Sequence, residues 1–229
     1  MAWFRTQENT QRPLVVALEG ISPDLLQVQL SMLEQELHTA GVVVRRLAFP
    51  TQKAAEHVPA LFQAPELTSA PQSLGIIASL DRAMWAVGHQ EATPDKELIL
   101  LTGGPLYTAA WAGSLLEESA ERVALYRWLD DLEYGVFHGR RIDLTVFVDM
   151  LPEHIDIHEQ VWCPAGWGDR PAPELEQLRT AYVEAANLFP KTKIVSASRE
   201  GLLKPDSDIG NEVWNLVRRI VLKTDIPQR

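Results

Sequence analysis

Short β-rich runs alternate along this chain with longer stretches whose apolar residues recur at helical spacing, and few folds accept that alternation. The short runs are Leu14–Leu18, Val42–Leu47, Leu98–Leu101, Leu144–Val148 and Lys193–Ser196. The helical stretches are Pro23–Ala40, Leu74–Gly88, Leu115–Leu132, Leu175–Leu188 and Ile209–Lys223. Strands this apolar need cover on both faces, and strands separated by helices pair in parallel because each connection crosses over the sheet. An α/β fold of three layers is therefore expected, with a parallel sheet of about five strands flanked by helices. With 229 residues and 46% hydrophobic content the chain is long enough for one sizeable core. One domain is expected over residues 13–229, after a polar extension at 1–12. The Pro-containing stretches Gln63–Gln72 and Pro164–Pro173 read as loops inside it.

Charge and cysteine usage remove several classes of function. A formal charge of −10 with only six lysines argues against a general nucleic-acid or anionic-membrane surface, because phosphate attracts clustered Lys and Arg. The single Cys163 has no internal partner for a disulfide. No apolar run approaches the roughly 20 residues needed to span a bilayer, and Met1 to Arg12 lacks the apolar region of a signal peptide. Cytoplasmic residence is the expectation.

The first strand-to-helix junction, Leu14-Val-Val-Ala-Leu-Glu-Gly-Ile-Ser-Pro-Asp-Leu-Leu-Gln27, lies where parallel α/β proteins commonly hold phosphate. A phosphate loop, or Walker A motif, needs GxxxxGK and then Ser or Thr: backbone N–H groups cup the phosphates, the Lys reaches the outer ones and the hydroxyl holds Mg²⁺. In this chain Leu26 stands at the Lys position and Gln27 at the hydroxyl position, while Pro23 and Leu25 replace loop glycines. Ser22-Pro23-Asp24 instead reads as an ordinary helix start, with Ser22 as N-cap, Pro23 in the first helical position and an acid in the first turn. Asp24 opposes a bound anion by about 1 to 4 kcal/mol.

From Glu19-Gly20 onward the spacing resembles, without a gap, the thymidylate kinase pattern EGxDGxGKTTQ, and Gln29 falls on its Gln. The resemblance continues through Gly41 and the second strand to Phe49-Pro50, then Ser79-Leu-Asp-Arg82, then Leu100 to Gly113. Its best single match is Ile142-Asp-Leu-Thr-Val-Phe-Val-Asp-Met-Leu-Pro-Glu153, similar to the family's strand ending in Leu-Asp-x-x-Pro-Glu. Glu174–Ala186, with Tyr182, looks like the helix that follows the family's lid, and the lid itself would occupy about 152–173. Coverage runs roughly from Pro13 to Leu222, mostly through framework residues. The resemblance implies a P-loop NTPase-like fold, a homodimer packed through helices such as Leu74–Gly88 or Leu115–Leu132, and phosphoryl transfer from ATP to dTMP with Mg²⁺.

Several positions depart from the family's machinery. Thr102 and Gly103 stand where the resemblance places an Asp-Arg pair, and Trp111-Ala112-Gly113 stands for Tyr-Gln-Gly. Trp111 fits either core packing or base stacking. Arg82 is the strongest surviving anion contact, with a structural ion pair as its other reading, and Ala78 replaces a stacking Phe. Arg170 is the single Arg in the lid stretch Gln160–Arg170. A nucleotide pocket, if retained, is expected from Phe49, Pro50, Arg82, Tyr107, Trp111, Gly113, Arg170 and Tyr182, beside the altered loop of Glu19, Gly20, Ser22, Pro23, Asp24, Leu25, Leu26 and Gln27.

His154 and His158 share helical spacing, with Asp156, Glu159 and Cys163 nearby, yet the order is not HExxH and no fourth ligand stands out. No metal site is expected. The acids Glu117, Glu118, Asp130, Asp131 and Glu133 read as a solvated helix face. Together these features describe a thymidylate-kinase-like pseudoenzyme that binds a nucleotide such as dTMP weakly or serves as an interaction subunit for a protein partner, with no cofactor. The alternative is an active nucleoside monophosphate kinase, which would use ATP and Mg²⁺.

Overall fold

A computed structural model describes residues 13–51, 70–88, 97–155 and 173–222. Five strands form one parallel sheet: β1 (Leu14–Gly20), β2 (Val43–Ala48), β3 (Glu97–Thr102), β4 (Leu144–Asp149) and β5 (Thr192–Ser196), in the order β2-β3-β1-β4-β5. β1 is central, pairing Val16 with Leu100 on one side and with Leu144 on the other. The three-layer α/β expectation is met.

The two faces of the sheet are covered by different helices, and alternation along each strand decides which. In β4, Val146 and Val148 join the core beneath α1 (Pro23–Thr39) and the C-terminal helix α6 (Asp206–Val221). Phe147 points the other way, into the core with α2 (Pro71–Gly88), α3 (Pro105–Gly113), α4 (Ser119–Asp130) and α5 (Pro173–Leu188). α6 shows how one stripe docks a helix. Ile209, Val213, Val217 and Val221 recur every fourth residue and are all buried, each contributing roughly 1.5–3 kcal/mol of apolar burial.

Three local expectations are corrected. α3 was not anticipated: all nine of its residues are buried, so it shows no apolar/polar period, and Gly103-Gly104-Pro105 leads into it. The helix expected over Leu115–Leu132 begins at Ser119 and runs on into a single π-helical turn, Asp131–Val136. Glu133 in that turn is buried, not solvated. A small hairpin of β6 (Ser198–Arg199) and β7 (Leu202–Leu203) also follows β5, turning through Gly201 at φ +80. The polar extension at 1–12, most of the lid-like segment and most of the Gln63–Gln72 loop lie outside the described residues; the exceptions include a 3-10 turn at Pro152–His154, and Pro71 and Gln72, which open α2 instead of closing a loop. Among the described residues no helix is long and apolar enough to cross a membrane.

Candidate functional site

Open parallel sheets bind ligands beyond the carboxyl ends of their strands, and here the relevant corner is where β1 gives way to α1. β1 extends two residues past the expected Leu18, so Glu19 and Gly20 are sheet residues paired with Phe147 and Val148 of β4. Ser22 then keeps an extended backbone at φ −97 and ψ 113 as the N-cap of α1, and its hydroxyl accepts the Leu25 N–H at 3.2 Å. The Leu26 N–H goes to the Ser22 carbonyl at 3.1 Å. Pro23 has no N–H. Three of the first four helical positions therefore offer nothing to an anion, and Asp24 places a carboxylate in the same turn.

Leu26 folds back against the strand end. A Cβ on Gly20 would lie 3.2 Å from its Cδ2 and 3.0 Å from the Val148 carbonyl oxygen, so only glycine leaves room for this arrangement. Leu25 is buried in the core with α6, whereas Asp24 and Gln27 are exposed. Beside Leu26 opens a cavity of about 120 Å³, lined by Glu19, Gly20, Pro23, Leu26, Gln27, Thr102, Gly103, Tyr107 and Trp111 together with Leu18, Ile21, Leu30, Ala48 and Leu178. No Lys or Arg stands among these described lining residues.

Glu19 is the one carboxyl in that wall and is 2% exposed. Its Oε1 accepts the Gly104 N–H at 2.7 Å, and a Cβ on Gly104 would come within 2.9 Å of the same oxygen. Burial pushes the carboxyl up to about 8, against the lowering effects of the Gly104 N–H, the Arg82 charge and the Gly103 N–H. The loop supplying those amides is held from its other side as well. Gly103 sits at φ +70, and a Cβ there would fall 2.0 Å from the Phe49 carbonyl oxygen, while the Phe49 N–H donates to the Thr102 carbonyl at 3.0 Å.

Arg82 lies behind this corner, 7% exposed, with all five guanidinium donors engaged. Nε and Nη2 donate to the two Glu133 carboxylate oxygens at 2.9 and 3.0 Å, Nη1 to the Thr108 hydroxyl at 3.0 Å and the Gly103 carbonyl at 3.3 Å, and Nη2 also to the Ser79 hydroxyl at 3.4 Å. Its neighbour Asp81 accepts the N–H and hydroxyl of Thr51 at 2.8 and 2.6 Å. Glu133 was missed as a site-supporting residue, although its position carried a signal: it falls four residues after buried Leu129, which falls four after buried Leu125.

The remaining candidates separate. Tyr107 and Trp111 line the corner cavity with ring centroids 5.9 Å apart. Phe49, joined to Pro50 by a cis peptide, meets Trp85 edge-on and lines a second cavity of about 100 Å³ with Arg82 and Glu133. Gly113 lets the Tyr126 hydroxyl approach to within 2.4 Å of where a Cβ would be. Tyr182 is fully buried and stacks on Phe147 at 4.8 Å. Arg170 lies outside the described residues, as do His158, Asp156, Glu159 and Cys163. His154 contacts the Gly201 carbonyl at 3.0 Å through Nε2, and no group of three metal-binding side chains occurs among the described residues. Arg179, which no sequence signal singled out, donates to both oxygens of Asp149 at 2.7 and 2.9 Å and ties α5 to the end of β4.

A parallel sheet in this order, helices on both faces and a crevice at the end of its central strand define the three-layer α/β class of P-loop NTPase-like folds. Within that class the chain is similar to the solved structure of thymidylate kinase from Candida albicans, with a TM-score of 0.65 over 92% of this chain and 93% of that one. Sequence identity is 16%, so the likeness is one of fold. No family model matches the sequence, and no curated protein does either.

Proposed function

We propose that this chain is a cytoplasmic, thymidylate-kinase-like protein without phosphoryl-transfer activity, serving as an interaction subunit that binds a dTMP-like nucleotide weakly if at all. One observation carries the reading: at the corner where a triphosphate would be gripped, the described wall holds a buried carboxyl, a folded-back leucine and no cation. Phosphoryl transfer depends almost wholly on positioning and on stabilising negative charge. Arg82, which reaches the Gly103 carbonyl of this wall, has every donor occupied by protein groups.

Calorimetric titration with ATP·Mg²⁺ and with dTMP separately tests this. ATP·Mg²⁺ is expected to give no saturable heat, and a mixture of the two to yield no dTDP above background. Micromolar ATP binding or measurable turnover would establish the active-kinase reading instead. Grafting the missing motif with Leu25→Gly, Leu26→Lys and Gln27→Thr is expected to cost stability rather than restore a grip. Leu25 is a core residue inside α1, so its loss costs about 3 kcal/mol or more with the glycine penalty added.

A homodimer is part of the same proposal. Ile76, Leu80 and Met84 recur every fourth residue along α2 and are 44%, 45% and 67% exposed, an apolar stripe suited to a second copy. Sedimentation velocity should return a dimer for the native chain and a monomer for Leu80→Glu with Met84→Glu. A native monomer at tens of micromolar would remove this part of the proposal.

A further inference from the structure

We propose that the cavity at the carboxyl end of β1 is a binding site for a small organic ammonium ion, paired with the Glu19 carboxylate beside the rings of Tyr107 and Trp111. The inference rests on the reading above that this corner does not hold phosphate, and it gives the same corner a guest of opposite charge.

Three observations point to a cation. Glu19 is the one carboxyl or cationic side chain in the described wall and is almost wholly withdrawn from water. Its ionised form has backbone N–H donors from Gly104 and Gly103 but no salt bridge to another described residue, since the Arg82 guanidinium is forked onto Glu133. A buried carboxylate without a counter-ion is costly, and a cationic guest that pairs with it recovers part of that cost. Second, Tyr107 and Trp111 supply aromatic surface, which attracts ammonium groups through the ring quadrupole. Third, the rest of the wall is largely aliphatic, with Leu18, Leu26, Leu30 and Leu178, so the cation's other end should be a short hydrocarbon. A formal charge of −10 draws cations toward the protein as a whole.

Binding has a definite proton balance. Burial pushes the Glu19 carboxyl up to about 8, so near neutrality it is mostly protonated. When the ammonium ion docks, the carboxyl releases its proton to solvent and the guest keeps its own protons. Affinity for a permanently charged ammonium should therefore climb about tenfold for each pH unit below the carboxyl's titration and level off above it.

Isothermal titration with n-butylammonium chloride, with n-butanol and sodium n-butyrate as controls, tests the site on the full chain. The expected result is saturable one-to-one binding of butylammonium, stronger at pH 8.5 than at pH 6.5, with close to one proton released at pH 7 as read from buffers of different ionisation heat. Neither control should saturate. Glu19→Gln should weaken butylammonium binding by about tenfold or more. Leu26→Lys, which plants a cation at the half-buried cavity wall and can extend its head to water, should weaken it similarly and keeps the test valid if Glu19→Gln disturbs folding. Absence of saturation, equal binding of butanol, a flat pH response, or native affinity in both variants would each overturn the site. If ATP·Mg²⁺ also fails to bind, only this inference falls; if ATP·Mg²⁺ binds tightly, the functional reading beneath it falls first.

Discussion

Replacing Arg82 with Ala is expected to cost the protein about 3–5 kcal/mol, because the change strands a buried carboxylate rather than merely deleting a contact. Glu133 is 6% exposed, and its carboxylate receives both of its described hydrogen bonds from Arg82. Without the guanidinium, Glu133 must take up a proton or pull water into the core. The carbonyl of Gly103 and the hydroxyls of Thr108 and Ser79 lose donors at the same time. For a chain of this size such a loss corresponds to a fall in Tm of roughly 6–20 °C. Arg82→Met combined with Glu133→Leu should recover much of the loss, since two apolar side chains of similar bulk leave no buried charge unpaired. Thermal unfolding of Arg82→Ala and of the double variant decides the matter. An unchanged Tm in Arg82→Ala would mean that the pair does not support the fold, and Arg82 would return as a candidate for ligand contact.

The second large effect is on pH dependence. Glu19 titrates at about 8 in the folded chain against 4.5 ordinarily, so between those values the folded state holds a proton that the unfolded chain has released. A group whose folded pKa is raised in this way contributes most to stability below the unfolded pKa, and the contribution is lost as pH rises through the folded one. Stability from this group is therefore fully present below about pH 4.5, falls across the interval, and is flat above about pH 8. At about 1.4 kcal/mol per unit the whole fall is on the order of 4 to 5 kcal/mol. Glu19→Gln keeps an acceptor for the Gly104 N–H and carries no titrating proton, so this part of the slope should vanish. Urea midpoints at pH 5, 6.5 and 8.5 should show the variant gaining on the native chain at each step. A constant difference across the three would show that the carboxyl is not held protonated.

Arg82 and Glu19 also read on one another. The Arg82 charge lowers the Glu19 carboxyl even though the two share no hydrogen bond, so Arg82→Ala should shift Glu19 further upward and steepen the stability loss between neutral and alkaline pH. The loop Thr102-Gly103-Gly104 joins them, giving its Gly104 N–H to Glu19 and its Gly103 carbonyl to Arg82. A corner built this way is organised to hold its own chain in place.

How much of this could be read in advance depended on whether the information was local. The strands were legible because each is a short run rich in β-branched and aliphatic residues, and α1 because Ser22, Pro23 and Asp24 start a helix by capping, fixed φ and charge within one turn. α3 escaped because burial on every side erases the period by which a helix is recognised. Arg82 stood out as either an anion contact or a structural ion pair, but its partner lies 51 positions away in sequence, and nothing near Arg82 names it. Glu19 was noticed as the first letter of a motif. Its depth in the sheet comes from β1 running two residues further than its apolar run, paired to Phe147 and Val148 of a strand more than a hundred residues distant.

By itself the amino-acid order determined the five strands of the main sheet, their parallel pairing and the capped start of α1, since each follows from side-chain pattern, capping and steric limits acting over a few neighbouring residues. Which charges are silenced and which are left alone was decided only by tertiary structure. A carboxyl at the protein's interior becomes harder to ionise, or becomes locked to a guanidinium, according to what packing brings within a few ångströms of it, and that distance is set by the whole fold.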